Sequence, residues 1–295
     1  MKRLFIPILL AVTSAVRAQQ FKELNQKLQK IVTTHSAITG IAIRHIESKK
    51  LLTVNNVYNY PMQSTFKFPL AMYILDNVDK GKLKLTQKVH INKADLHKNT
   101  WSPLRDKYPD GNVDLTITEL LDYTVSKSDN NTCDILFRLA GGPKVVDKYI
   151  HGLGVKDIAI VATEAQMGAA WKVQYSNWTF PESMTILLDG LYNKRFLSES
   201  SSSLLMKLMT ESANSDKRIK GMLPKSTKVA HKTGTSGTDK DGMTAATNDV
   251  GIITLPNGKH LAIAVYVCDS KETAEMNEQI IAEVAKAAYD EFSKL

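Results

Sequence analysis

Apolar side chains recur along this chain in two rhythms, and the rhythm changes where the architecture should change. Phe21, Leu24, Leu28 and Ile31 fall on one face of a helix over Gln20 to Thr34. Ile38 to Ile46 is rich in β-branched residues and partly alternates, so it reads as a strand. Leu51 to Val57 reads as its partner, with Glu47 to Lys50 as the turn. From Met62 to about Met209 the spacing is mostly helical. An apolar helix covers Phe66 to Val78 and stops near Lys80-Gly81. Pro69 falls early enough in it to cost little beyond one first-turn hydrogen bond. Thr116 and Glu119 form a capping box before a helix over Ile117 to Val125. Further helices are predicted over Asn131 to Ala140, Pro143 to His151, Pro181 to Leu191 and Ser200 to Met209. Gly141-Gly142-Pro143 separates the first two of these. Between Asp157 and Phe180 the periodicity is lost, and a long loop is expected there.

From Thr227 onward strands return, over Lys228 to Thr235, Thr247 to Leu255 and His260 to Cys268. Pro256-Asn257-Gly258 is a hairpin turn between the last two. A helix from about Lys271 to Phe292 closes the chain. Strands at both ends with helices between predict an α/β fold of the α+β sandwich kind. An antiparallel five-stranded sheet, flanked by the terminal helices, is built from residues 19–58 and 210–295. A helical domain, residues 59–209 with the loop 157–180, is inserted into it, and a site is expected where the two meet.

Composition fits a globular body: 295 residues, 43% hydrophobic and 23% charged. Residues 1–18 read as an export leader, with Lys2 and Arg3 ahead of apolar Leu4 to Val12, and Val16-Arg17-Ala18 suited to cleavage before Gln19. The expected destination is the periplasm, without a membrane anchor, because the apolar stretch is short for a span. Three basic residues (Lys2, Arg3, Arg17) leave with the leader, so the net charge of +8 falls to +5. No basic run interleaves with aromatics, which disfavours nucleic-acid binding. Two cysteines, Cys133 and Cys268, read as buried free thiols, and no Cys/His cluster has metal-ligand spacing. No metal or cofactor is expected.

The chemistry is carried by three short motifs in order: Ser64-Thr-Phe-Lys67, Ser128-Asp129-Asn130 and Lys232-Thr233-Gly234. On a helix, residues three apart share a face, so Lys67 can reach the Ser64 hydroxyl. A serine becomes a nucleophile when a neighbour takes its proton, and a lysine can do so when burial or another cation lowers its pKa. Each motif alone also reads as an ordinary cap or turn. Their ordered set points to a serine enzyme.

With Glu164 on the loop, this set resembles the class A serine β-lactamases of the penicillin-recognising superfamily. The resemblance covers essentially the whole mature chain and is closest to the extended-spectrum and Bacteroidetes-type cephalosporinases. It implies hydrolysis of penicillins and cephalosporins, with a lean toward cephalosporins, through an acyl-serine, by a monomer. Ser64 is then the nucleophile and Lys67 takes or relays its proton. Ser128 passes a proton to the departing ring nitrogen, and Asn130 binds the substrate amide and Lys67. Lys232 supplies positive charge, Thr233 binds the substrate carboxylate, and Gly234 allows close approach. The N–H groups of Ser64 and Thr235 form the oxyanion hole, and Glu164 activates the water that frees the acyl-enzyme. Trp101 matches the aromatic at the cleft mouth, or is a packed loop tryptophan. Arg218 reaches the substrate carboxylate, or is a surface arginine.

The chain departs from that pattern at three places. Ala162 and Asn177 stand where most members pair an Arg with an Asp, and Gly168 stands where most carry an Asn. The loop is therefore expected to fold differently and to widen the cleft. Two rival readings share most of the motifs: a penicillin-sensitive D,D-peptidase, and a non-catalytic β-lactam sensor module.

Overall fold

The structure is a computed structural model that describes residues 21–213 and 216–294. The leader read over residues 1–18 lies outside them. In chain order the elements are α1 (residues 21–34), β1 (Ile38–His45), β2 (Leu51–Val54), β3 (Tyr60–Pro61), α2 (Lys67–Asp79), β4 (Lys88–Ile91), α3 (Pro103–Lys107) and β5 (Val113–Thr116). There follow α4 (Ile117–Val125), α5 (Asn130–Ala140), α6 (Pro143–Gly152), β6 (Ile158–Ala159), α7 (Glu164–Ala169), β7 (Trp178–Thr179), α8 (Pro181–Tyr192) and α9 (Glu199–Thr210). The chain ends in β8 (Val229–Thr235), β9 (Thr244–Thr254), β10 (His260–Ser270) and α10 (Ala274–Phe292).

The large sheet has five antiparallel strands in the order β2-β1-β10-β9-β8. Its central strands are apolar on both faces. Leu261, Ile263, Val265 and Val267 pack with Leu28 of α1 and with Ile281 and Val284 of α10. Ala262, Ala264, Tyr266 and Cys268 alternate with them and belong to the core shared with α2, α4, α5 and α8. The sheet is therefore the middle layer between two helical layers, which explains why β10 reads as a nearly unbroken apolar run rather than an alternation. β8 is an edge strand, and its outer edge faces the seam with the helical body.

Local signals decided most boundaries. The Thr116–Glu119 capping box is formed reciprocally at the start of α4. Gly141 ends α5 at φ +90°, where a side chain is disfavoured. Three expectations need correction. The segment 157–180 is more regular than a loop: it holds β6, α7, the 3-10 turn Trp171–Tyr175 and β7, with β7 pairing to both β3 and β6. These pieces are too short to set a hydrophobic period. The last helix starts at Ala274, after the capping hydroxyl of Thr273, rather than near Lys271. The second strand stops at Val54, because Asn55 turns to φ +51°. The short pair β4–β5 and helix α3 had no counterpart in the sequence pattern. Both cysteines are free and buried.

Candidate active site

Ser64 stands in the 3-10 turn Gln63–Phe66 that leads into α2. The turn is clamped from both sides. Asn248 of β9 donates its side-chain amide to the carbonyls of Pro61 and Met62 (2.8 and 3.1 Å). Gln63, at φ +46°, donates to Gln174 Oε1 at 2.7 Å. A half-buried serine at the head of an apolar helix is thereby fixed to the sheet and to the segment 157–180.

One helical turn later, Lys67 is fully buried. Its Nζ lies 3.0 Å from Ser64 Oγ, 2.8 Å from the Ser128 carbonyl, 2.5 Å from Asn130 Oδ1 and 2.8 Å from Glu164 Oε1. A buried ammonium is tolerated only when oxygens surround it. Here those oxygens come from three different elements, so the lysine gathers the site around itself.

The Ser128-Asp129-Asn130 stretch is held by its middle residue. Asp129 is the N-cap of α5, accepting from Thr132 N. Its other oxygen accepts from Ser102 Oγ at 2.8 Å and Leu104 N at 2.7 Å. This tie lets Ser128 sit at φ +58°, a conformation disfavoured for a non-glycine residue. Ser128 Oγ accepts from Lys232 Nζ at 2.8 Å. Asn130 donates to Thr100 Oγ1, which fixes its amide with the oxygen toward Lys67.

Glu164 is the first residue of α7, behind the capping hydroxyl of Thr163. Asp134 accepts from the backbone N–H of Glu164 (2.8 Å) and of Ala165 (2.9 Å). The Ser64 hydroxyl donates to Glu164 Oε1 at 3.4 Å, a long contact. The missing Arg–Asp pair is replaced by a single amide. Asn177 is fully buried, accepts from Val161 N and Ala162 N, and donates to the Ala162 carbonyl.

On β8, Lys232 is fully buried and Gly234 is the close approach: a Cβ there would stand 2.5 Å from the Met62 carbonyl oxygen. Burial pushes the Lys232 ammonium well below the usual lysine range and the cation of Lys67 adds to this, while Asp249 and Glu164 oppose it. Burial also raises the Asp134 carboxyl to about 6; Glu164 adds to the rise, and the two N–H groups that Asp134 accepts counter it. Cys133, behind Lys67, is pushed far up by burial and is inert as a nucleophile.

Ser64, Ser128, Asn130, Thr233, Thr235, Arg218 and Trp101 line one cleft of about 390 Å³. A neighbouring recess of about 270 Å³, walled by Glu164, Gly168, Gln174 and Gly237, opens from the same serine between α7 and the end of β8. Trp101 is 59% exposed at the cleft wall and donates to the Lys127 carbonyl, so it is not a packed loop tryptophan. Nor is Arg218 a surface residue: it is 5% exposed. It donates to the carbonyls of Gly234 and Asn248, to Thr235 Oγ1 and to Glu278. Every candidate residue from the sequence thus comes to this seam.

The profile of the β-lactamase enzyme family matches residues 23–292. The chain belongs to that family. It is 44% identical over 292 residues to the β-lactamase VEB-1 of Pseudomonas aeruginosa, covering 98% of this chain and 97% of the relative. The TLA-1 extended-spectrum β-lactamase structure superposes with a TM-score of 0.91 at 52% identity, covering 92% of this chain and 99% of that one. A class A β-lactamase from Bacteroides cellulosilyticus superposes with a TM-score of 0.90 at 35% identity, covering 94% and 99%. These likenesses place the chain among the class A serine β-lactamases, in their extended-spectrum branch.

Five residues around this candidate site escaped the sequence reading: Thr100, Asp134, Gln63, Gln174 and Asn248. Asp134 carried a usable signal, because it lies four residues after Asn130 and so shares its helix face. Asn248 carried another, being polar in the middle of an apolar strand. The Gln63–Gln174 contact joins residues 111 positions apart and left no local trace.

Proposed function

We infer that the protein hydrolyses β-lactam antibiotics through an acyl-serine intermediate and so confers resistance. The observation that carries this reading is the position of the Lys67 ammonium, within 3.0 Å of both Ser64 Oγ and Glu164 Oε1. In acylation, Ser64 Oγ attacks the lactam carbonyl, and its proton passes through Lys67 to the Glu164 carboxylate. The developing oxyanion is held by the N–H groups of Ser64 and Thr235, each worth roughly 3 kcal/mol in the transition state. The C–N bond breaks, the nitrogen takes the proton of Ser128 Oγ beside the Lys232 ammonium, and the proton held by Glu164 returns through Lys67 to Ser128, so that Glu164 is a carboxylate again. In deacylation, Glu164 takes a proton from the water that attacks the ester, and as the acyl C–O bond breaks that proton passes to Ser64 Oγ, restoring the hydroxyl and the carboxylate.

The substrate's carboxylate is read by Lys232, Thr233 and Thr235, with Arg218 orienting the Thr235 hydroxyl. Asn130 takes the side-chain amide, and Trp101 flanks the mouth. The recess beside Gly168 and Gly237 supports a lean toward cephalosporins with bulky side chains. Nothing larger than hydrogen projects from those two positions, and a Cβ built at either meets no atom within 4 Å.

The Glu164 placement favours this reading over a D,D-peptidase or a sensor module, because a carboxylate beside the acyl ester is what both rivals lack. A monomer is the proposed state of the enzyme. The charged start and apolar stretch of residues 1–18 support export to the periplasm. The sheet body (19–58 and 210–295) and the helical body (59–209) are proposed as the two domains whose seam forms the cleft.

The test is a chromogenic cephalosporin mixed with the purified protein, followed by turnover and intact mass. Many turnovers with little lasting adduct are expected. One equivalent consumed with a stable adduct would overturn the hydrolase reading.

A further inference from the structure

On the face of the sheet that carries Val229 and Ile253 lies a second set of buried charges that the mechanism does not use. Asp249 of β9 stands opposite Thr233 in the ladder, next to Val250, the cross-strand partner of Lys232. Successive residues of a strand point to opposite faces, so Asp249 and Lys232 flank the sheet from its two sides. Both are fully buried. The Asp249 carboxylate is met by His231 Nδ1 at 2.9 and 3.0 Å and accepts from Ile219 N at 3.2 Å. His231 is fully buried too, and its Nε2 finds no hydrogen-bond partner among the described residues. Ile219 directly follows Arg218, whose guanidinium grips the Gly234 carbonyl and Thr235 Oγ1.

We propose that Asp249 is a positioning residue for substrate binding: its carboxylate is the counter-ion of Lys232 through the sheet and the anchor of the segment that carries Arg218. This rests on reading Lys232 as the holder of the substrate carboxylate. Charge bookkeeping across the seam supports it. The cations Lys67, Lys232 and Arg218 face the anions Glu164, Glu278 and Asp249. Glu164 reaches Lys67 directly and Glu278 reaches Arg218. Among the described residues Lys232 donates to Ser128 Oγ and the Thr233 carbonyl, neither of them charged. Among the charges that act on Lys232, Asp249 is the strongest that favours the ammonium, ahead of Glu164, whereas Lys67 and Arg218 work against it. A buried carboxylate acts at a distance that bulk solvent would otherwise screen. The imidazole of His231 fixes where that carboxylate points.

The sign follows. Lys232 is already displaced downward by burial, so its charge is lost as pH rises, and affinity for an anionic substrate falls with it. Removing Asp249 brings that loss to lower pH. The experiment compares wild type and Asp249→Asn on a chromogenic cephalosporin, with KM and kcat measured from about pH 6 to pH 10 and melting followed in parallel. The alkaline rise of KM is expected to begin about one pH unit lower in the variant, giving a several-fold higher KM at pH 9, with kcat near wild type around pH 7. A merely structural role would lower the melting temperature and leave the KM profile in place. A variant whose KM profile overlays the wild type overturns the proposal, as does a loss confined to kcat. Should Asp249→Asn not fold, the double replacement His231→Leu/Asp249→Leu removes both members of the ion pair together, leaving the Ile219 N–H as the one group that loses an acceptor, and the same criterion applies to it. A wild type that turns over no substrate sinks the hydrolase reading itself, which separates the two failures.

Discussion

Glu164 Oε1 lies 2.8 Å from Lys67 Nζ, in a pair whose side chains are 9% and 0% exposed. The carboxylate comes from a helix of six residues, the ammonium from the buried helix α2. A proton leaving Ser64 therefore has a short path to a carboxylate without entering bulk water. In the proposed mechanism the same carboxylate then acts on the water that attacks the ester.

Removing the Glu164 charge should separate the two halves of the reaction. Glu164→Gln is expected to acylate more slowly, with Lys67 alone to take the Ser64 proton, and then to stall, with turnover falling by roughly 10²–10⁴-fold and a covalent adduct accumulating in intact mass spectra. Ser64→Ala should form no adduct at all. An unchanged hydrolysis rate in the Glu164 variant would remove that residue from the mechanism.

Gly234 tests the close approach of β8 to the turn that carries Ser64. A Cβ at this position would lie 2.5 Å from the Met62 carbonyl oxygen and 3.1 Å from Gln63 Cβ. Gly234→Ala must push the strand away from the turn. A displacement of about 1 Å can cost about 100-fold in rate, so kcat/KM should fall by that order. Wild-type kinetics in this variant would show that the two elements part without consequence.

Asn177 holds the segment that delivers Glu164. Its side chain satisfies Val161 N, Ala162 N and the Ala162 carbonyl in a fully buried place. Asn177→Ala leaves those groups unpaired and should cost about 3 kcal/mol of stability in denaturant unfolding. Deacylation should slow more than acylation, which single-turnover kinetics can read. Equal slowing of both steps would argue against a role specific to Glu164.

Asp134 gives a pH dependence of definite sign. Its carboxyl is raised from 3.8 to about 6, first by burial, so the folded state binds a proton more readily than the unfolded chain. The stability it contributes is fully present below about pH 4 and is lost as pH rises through about 6. Asp134→Asn does not titrate. Its melting temperature relative to wild type should therefore rise between about pH 4 and pH 7. Parallel melting curves across that range would refute the shift. The amide retains one acceptor for the two N–H groups of α7, so weaker positioning of Glu164 should accompany the gain.

The order and type of the long elements were legible in the chain, because each is fixed by neighbours in sequence. The capping box at Thr116 and Glu119, the stop at Gly141 and the turn at Asn257-Gly258 act over a few residues. The three motifs around Ser64, Ser128 and Lys232 were legible for a similar reason: each is a short run whose residue types the chemistry requires. The α7 helix was not, since six residues are too few to show a period.

What only the tertiary structure decided is where buried charge goes. Nothing in the sequence says that Arg218 lies inside rather than outside, that Asn177 replaces an ion pair, or that Asp249 sits behind Lys232. A charged group enters the interior only where partners from other elements meet it, and those partners are set by the way the sheet and helices stack. Spacing along the chain carries periodicity and caps; it does not carry the contacts that make burial of a charge affordable.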